Sequence, residues 1–258
     1  MEILVLKLTA TPLLILAASL AGQRWGETIG GWFIGLPLTS GPVVFFLALD
    51  QGAAFAAAAA AGALAGAIAE AGFCLAYGAA ARRFCWLKAV LAGTAAFFAS
   101  CGALKAAPLP PVPLALLAGA ALLLALRLLP AGSNAPPEAA LRPSRDIAAR
   151  MATATALELT LTEAAPLLGP RWSGLLATYP AFAAVLAGFA HRRRGAAAAM
   201  RVLRGLLAGL FGFCGFFLVV AVGIERAGIT AAFAAAVTAA LIIQGGTLWI
   251  LRLPRANG

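Results

Sequence analysis

The chain has 258 residues, 63% of them hydrophobic and 11% charged, with a mean hydropathy of +0.97. A soluble domain carries about 25% charged residues, so there is too little polar surface here to cover a water-soluble globule. An ordinary cytosolic enzyme, a secreted disulfide scaffold and a disordered tail are excluded. What remains is an all-α integral membrane protein, because the Ala, Leu and Gly runs lack the period-two alternation of a membrane barrel.

Apolar runs separated by Gly, Pro or charge predict nine transmembrane helices, over 3–22, 29–49, 53–80, 85–104, 113–130, 147–168, 172–190, 197–224 and 228–252. The first run carries Glu2 and Lys7 and lacks a basic leader, so it reads as a span and not as a signal peptide. Residues 105–113, KAAPLPPVP, form a Pro-rich connector, and 131–146, AGSNAPPEAALRPSRD, form the longest polar segment. The division is therefore residues 1–104, a first four-helix repeat; 105–146, a linker helix and cytoplasmic loop; and 147–258, a second, inverted four-helix repeat.

The net charge of +10 comes from 19 Lys and Arg against 9 acids. In a membrane chain that excess anchors cytoplasmic loops and does not mark a nucleic-acid partner. With nine spans, 15 basic residues fall on one side and 4 on the other (Lys7, Lys105, Arg171 and Arg226). This predicts the N-terminus outside and the C-terminus in the cytoplasm. The Arg-over-Lys, Ala-rich composition suggests a GC-rich bacterial genome. The expected partners are the lipid bilayer and a small-molecule substrate, with homodimerisation open.

An internal repeat underlies the division. Residues 37–81 lie on 180–224 without a gap, at a spacing of 143, with Pro37 over Pro180. Gly52, Gly62, Gly66 and Gly72 fall on Gly195, Gly205, Gly209 and Gly215, four coincidences where chance gives about one. Upstream, LAGQRW (20–25) matches LLGPRW (167–172). An odd number of crossings separates equivalent helices, so the copies point in opposite directions through the bilayer. Inverted repeats of this kind are common in secondary transporters. Gly62/Gly66 and Gly205/Gly209 are matched small-residue motifs that allow close helix approach, and are expected near the pseudo-two-fold axis.

Candidate site residues come from two features. The segment GGWFIGLPLTSGP (30–42) interrupts the second span with Gly and Pro. A break at bilayer depth needs protein or a cavity to satisfy its freed backbone, and Thr39 and Ser40 sit there; the alternative is a proline kink capped by Thr39. The equivalent break in the seventh span is Thr178–Tyr179–Pro180. Secondly, three acids lie inside spans: Glu70, Glu158 and Glu163. An ionised carboxylate at mid-bilayer costs about 2.5–3.5 kcal/mol, so such groups are expected neutral, paired or facing water, and are suited to proton coupling or cation binding. Thr155, Glu158 and Thr162 share one helix face. The repeat mates of Glu70, Glu158 and Glu163 are Phe213, Thr11 and Leu16, so a site using these acids is one-sided. The ligand- or ion-binding candidates are thus Glu158, Glu163, Glu70, Thr39, Ser40, Tyr179 and Thr162.

No metal site, cofactor or catalytic group is expected. Cys74, Cys85, Cys101 and Cys214 form no CxxC pair and read as buried thiols. His191, beside Arg192–Arg194, reads as part of a basic loop. Trp25, Trp32, Trp172 and Trp249 read as interfacial aromatics. No phosphate-binding loop, HExxH pattern or nucleophile elbow is present, so the chain is not expected to be an enzyme.

The segment SGLLATYPAFAAVLAGFAHRRRG (173–195), followed by LRGLLAG (203–209), resembles the GlpM family of small bacterial inner-membrane proteins. The shared pattern is a Gly-Leu start, an aromatic-Pro break, an apolar run ending in His, then Gly. The first copy keeps Gly-Leu-Pro (35–37) and Asp-Gln-Gly (50–52) but has no His. The resemblance implies a repeat unit of about four helices and an inner-membrane location, and supplies no substrate. Two four-helix units joined by a linker helix are also similar in architecture to the drug/metabolite transporter superfamily. The expected function is a secondary transporter or permease for a small molecule, proton-coupled through Glu158. The alternative is a non-transporting accessory protein of an envelope polysaccharide or lipid pathway.

Overall fold

The computed structural model describes residues 2–106, 109–130, 145–167 and 179–252. Among them every regular element is a helix: α1 (Glu2–Trp25), α2 (Glu27–Ile34), α3 (Ser40–Gln51), α4 (Ala53–Ala81), α5 (Trp86–Ala106), α6 (Pro111–Leu128), α7 (Arg145–Leu167), α8 (Ala181–Arg194), α9 (Ala196–Ala227) and α10 (Ile229–Arg252). Five of them, α4, α5, α6, α9 and α10, are long and apolar enough to cross a membrane, which marks the chain as a helical membrane protein. The outward faces agree: Leu116 on α6 and Ile242 on α10 are 71% and 70% exposed. Such apolar surface suits lipid and would be a liability in water.

Four consecutive helix pairs turn on one glycine each. Gly26, Gly52, Gly195 and Gly228 have φ between +78° and +97°, a region closed to most L side chains. Each lets one helix end and the next begin without a loop. The predicted second span is divided into α2 and α3 by residues 35–39. Gly30 and Gly31 do not interrupt α2; the chain leaves the helix at Gly35 and Pro37. Pro42 falls in the first turn of α3, where its missing N–H costs nothing.

The central helix is α9, which packs against α2, α4, α6, α8 and α10. The glycines of the second span explain how α2 fits there. Gly30 faces α1, where an added Cβ would lie 2.7 Å from the Ala18 carbonyl. Gly31 and Gly35 face α9, where an added Cβ on Gly35 would lie 2.8 Å from the Gly209 Cα. Gly205 and Gly209 return the contact against Thr28 and Trp32. The small-residue motif of α9 therefore packs on α2, whereas Gly62 of α4 meets open space among the described residues. Gln244 of α10 is buried beside this crossing and donates to the Gly209 carbonyl at 2.7 Å. Trp32 Nε1 donates to Thr247 Oγ1 at 3.1 Å, which ties α2 to α10.

Two helix pairs distant in sequence meet end to start. Gly78, near the end of α4, lies against Met200, near the start of α9. Ser19 and Gln23, near the end of α1, share a small cavity with Arg150, near the start of α7. Three of the cysteines, Cys74, Cys101 and Cys214, are buried as expected, but Cys85 precedes α5 and is exposed.

Candidate functional site

A cavity of about 150 Å³ lies where α2, α3, α4, α7, α8 and α9 meet. At roughly 10–15 Å³ per water, it has room for several waters or a small molecule. Thr39, Ser40, Glu70, Glu158 and Tyr179 all line it, so five of the seven residues singled out from sequence share one space. Thr162 and Glu163 belong to the last turns of α7, and their side chains lie outside the described residues, as do Thr178 and Trp172.

The break between α2 and α3 brings Thr39 and Ser40 to the cavity. Thr39 occupies the N-cap position of α3 but makes no side-chain capping bond. A capped kink would use that hydroxyl; here it lines the cavity. Ser40 likewise makes no side-chain hydrogen bond among the described residues. The start of α3 thus offers two hydroxyls and a helix N-terminus, whose dipole favours negative charge.

Glu70 projects from the middle of α4. It lines the cavity and makes no hydrogen bond or ion pair among the described residues. Among the described residues no Lys, Arg or His lines the cavity with it. Glu158 reaches the same space from α7.

Tyr179 is held by its surroundings. Its hydroxyl shares a 2.8 Å hydrogen bond with Thr94 Oγ1 of α5. Its ring stacks on Phe98 at 6.1 Å and meets Phe97 and Phe73 edge-on. Tyr179 is therefore a fixed wall, with its polar tip already engaged. The opposite wall is apolar, with Phe182 on α8 and Leu206, Leu210 and Phe213 on α9.

Sequence reading passed over Glu27. At the start of α2 it pairs with Arg194 of α8, and with Arg201 of α9 at 3.0 Å. Burial by itself would raise its carboxyl, but hydrogen bonds from its own backbone and from the two arginines outweigh that and hold it below the ordinary carboxylate range. The signal was weak because Glu27 is 167 positions from Arg194 and sits at a span end, where a charge needs no explanation. His191 is also corrected: it lies within α8 and not in a loop, and Tyr77 Oη lies 3.2 Å from its Nδ1. Arg204 caps the end of α6, donating to the Leu126 and Leu129 carbonyls at 2.8 and 2.7 Å.

No group of three or more His, Cys, Asp or Glu side chains is placed to hold a metal among the described residues. No protein-family model, curated protein or solved structure matches the chain.

Proposed function

We propose that the chain is a secondary transporter or permease for a small molecule, built as two inverted four-helix repeats around one cavity. The observation that carries this reading is the composition of the cavity wall. Leu36 and Tyr179, Thr39 and Phe182, Ser40 and Ala183, Ala63 and Leu206, and Glu70 and Phe213 all line it, and each pair is 143 positions apart. That is the spacing of the sequence repeat, so equivalent residues of the two copies face one space across an approximate two-fold axis.

Other features support the same reading. Helix starts at Ala53 and Ala196, and at Trp86 and Ile229, recur at that spacing, as do the ends at Gln51 and Arg194. Gly52 and Gly195 are equivalent, and both take φ near +85° (89° and 80°). The helix pairs equivalent under the repeat, α1 with α7 and α4 with α9, each pack with the end of one near the start of the other, as inversion demands. Secondary transporters built this way bind substrate between the repeats, beside interrupted helices, and expose it to each side in turn by rocking one unit against the other.

In this mechanism Thr39 and Ser40 orient the ligand at the start of α3. Glu158, with Glu70, takes up and releases a proton or cation as the cavity opens to either side. The full assignment is nine crossings, counting α2 and α3 as one and residues 172–190 as another, with the N-terminus outside and the C-terminus in the cytoplasm of a bacterial inner membrane.

The test is a thermal-shift screen of the purified chain against metabolites and drugs at two pH values, followed by proteoliposome uptake of any hit. Glu158→Gln is expected to abolish the pH dependence of uptake while leaving the melting curve intact, and Glu70→Gln to weaken ligand binding. Equal pH response in Glu158→Gln and wild type would overturn the coupling role. A stoichiometric co-purifying partner with no ligand-induced shift would favour an accessory protein instead.

A further inference from the structure

A second, smaller cavity of about 30 Å³ lies at the charged end of the bundle, between α1, α2, α7, α8 and α9. Its polar lining is Ser19 and Gln23 from α1, Glu27 from α2, Arg150 from α7 and Arg194 from α8. Ser19 is 2% exposed, and its Oγ has no hydrogen-bond partner among the described residues. A buried hydroxyl left unpaired costs free energy, and such groups in native proteins mark a missing water or ion. Gln23 likewise makes no side-chain hydrogen bond among the described residues. The amide of Gln23 and the hydroxyl of Ser19 are both able to donate.

The local charge decides which ligand fits. Glu27, the one acid in the lining, already accepts from Arg194 and Arg201. Arg150 adds a further positive charge, with its guanidinium 5.7 Å from the Phe189 ring centroid. Among the described residues the lining sets one acid against two arginines, and Arg201 also reaches that acid, so these groups sum to a positive charge. Its volume corresponds to about two waters, too small for a phosphate headgroup and right for a single monatomic ion. A positive, donor-lined space of that size selects an anion.

We propose that this cavity binds a small inorganic anion of chloride size, coordinated by Ser19, Gln23, Arg150 and Arg194. The anion bridges α1 to α7 and α8, and offsets the positive charge gathered at that end of the bundle. The site is separate from the larger cavity and does not depend on the transport reading.

The test uses the full chain in neutral detergent, with sodium chloride exchanged for sodium gluconate at constant ionic strength. Chloride is expected to raise the melting temperature saturably, bromide to replace it, and gluconate to have no effect. The chain is also expected to broaden the ³⁵Cl resonance, and bromide to compete that broadening away. Ser19→Ala removes only a hydroxyl with no hydrogen-bond partner among the described residues, so it keeps the fold; its chloride affinity is expected to fall about tenfold, as for loss of one hydrogen bond to a charged ligand. Identical melting in chloride and gluconate, or an unchanged chloride response in Ser19→Ala, would overturn the proposal. Stabilisation by phosphatidylglycerol alone, with no chloride effect, would overturn it in favour of a lipid headgroup.

Discussion

The crossing of α2 and α9 gives a sharp test of the packing. In Gly205→Ala the new methyl would run into the Thr28 carbonyl and lie 2.8 Å from the Trp32 backbone nitrogen. Both are backbone atoms, so no side-chain rotation relieves the clash. Nor can α2 retreat, because Gly30 holds its other side against Ala18 and Gly22 of α1. Relief needs the helices to separate by on the order of 1 Å, which loosens contacts along the whole crossing. Overpacking of this kind costs about 1–3 kcal/mol, and the helical preference of Ala over Gly returns about 1 kcal/mol at most. A net loss of about 1 kcal/mol lowers the melting temperature by roughly 2–4 °C for a chain of this size. Gly223→Ala is the matched control: it is on the same helix and makes the same change, with nothing within 4 Å of the added Cβ. A thiol-reactive dye can read unfolding through Cys74, Cys101 and Cys214, which are buried, once exposed Cys85 is replaced by Ser. Gly223→Ala is expected to melt at or above the parent. If Gly205→Ala melts with Gly223→Ala, the close approach of α2 and α9 is wrong.

Glu27→Gln breaks two ion pairs whose members are only partly exposed. The expected loss is about 1–3 kcal/mol, between exposed and fully buried pairs, read as a lowered melting temperature. Because the folded-state carboxyl titrates below its ordinary value of 4.5, its contribution is complete above that pH and is lost as pH falls through the lower folded value. Wild type and Glu27→Gln should therefore converge in stability on acidification below pH 4.5, and a constant gap would refute the pairing. Tyr179→Phe keeps the ring contacts with Phe73, Phe97 and Phe98 and loses the Thr94 hydrogen bond; it should cost about 1 kcal/mol. Tyr179→Ala removes the wall and should cost about 3–5 kcal/mol; near-equal melting of the two variants would show that the aromatic packing is not what holds the α8 start.

Composition and charge made the helical membrane class legible, because scarcity of polar surface needs no partner information. The break before α3 was legible as well, since Gly35 and Pro37 act on their own backbone. The convergence of Thr39, Ser40, Glu70, Glu158 and Tyr179 followed from two local signals, breaks and expensive charges. What sequence reading missed is what depends on distant partners. Gly30 and Gly31 read as helix breakers, yet their role is to admit Ala18 and Val202 on opposite sides of an intact helix. Glu27 read as an ordinary terminal charge until Arg194 and Arg201 were brought to it. His191 was misjudged in the same way: it was assigned from its neighbours in the chain, yet it lies within α8 beside Tyr77.

The repeat mates separate into two kinds. Gly52 and Gly195 stay identical, because the α3–α4 and α8–α9 corners both need a positive φ that only glycine takes without strain. Phe73 and Phe216 also stay alike: each ring packs beside the start of a short helix, Phe73 on Tyr179 and Phe216 against Gly41. At the cavity the mates diverge. Thr39, Ser40 and Glu70 are matched with Phe182, Ala183 and Phe213, while Glu158 and Tyr179 bring polar groups from the second half of the chain. Backbone geometry is shared by both copies and tolerates little change, whereas the cavity wall is free to differ because its side chains answer to the space between the copies. A single carboxylate per pair also avoids the repulsion that two Glu residues facing each other in a membrane interior would bring. Glu70 and Phe213 thus differ at a position where no backbone contact fixes the side chain, and the cavity sets hydroxyls and carboxylates beside aromatic rings.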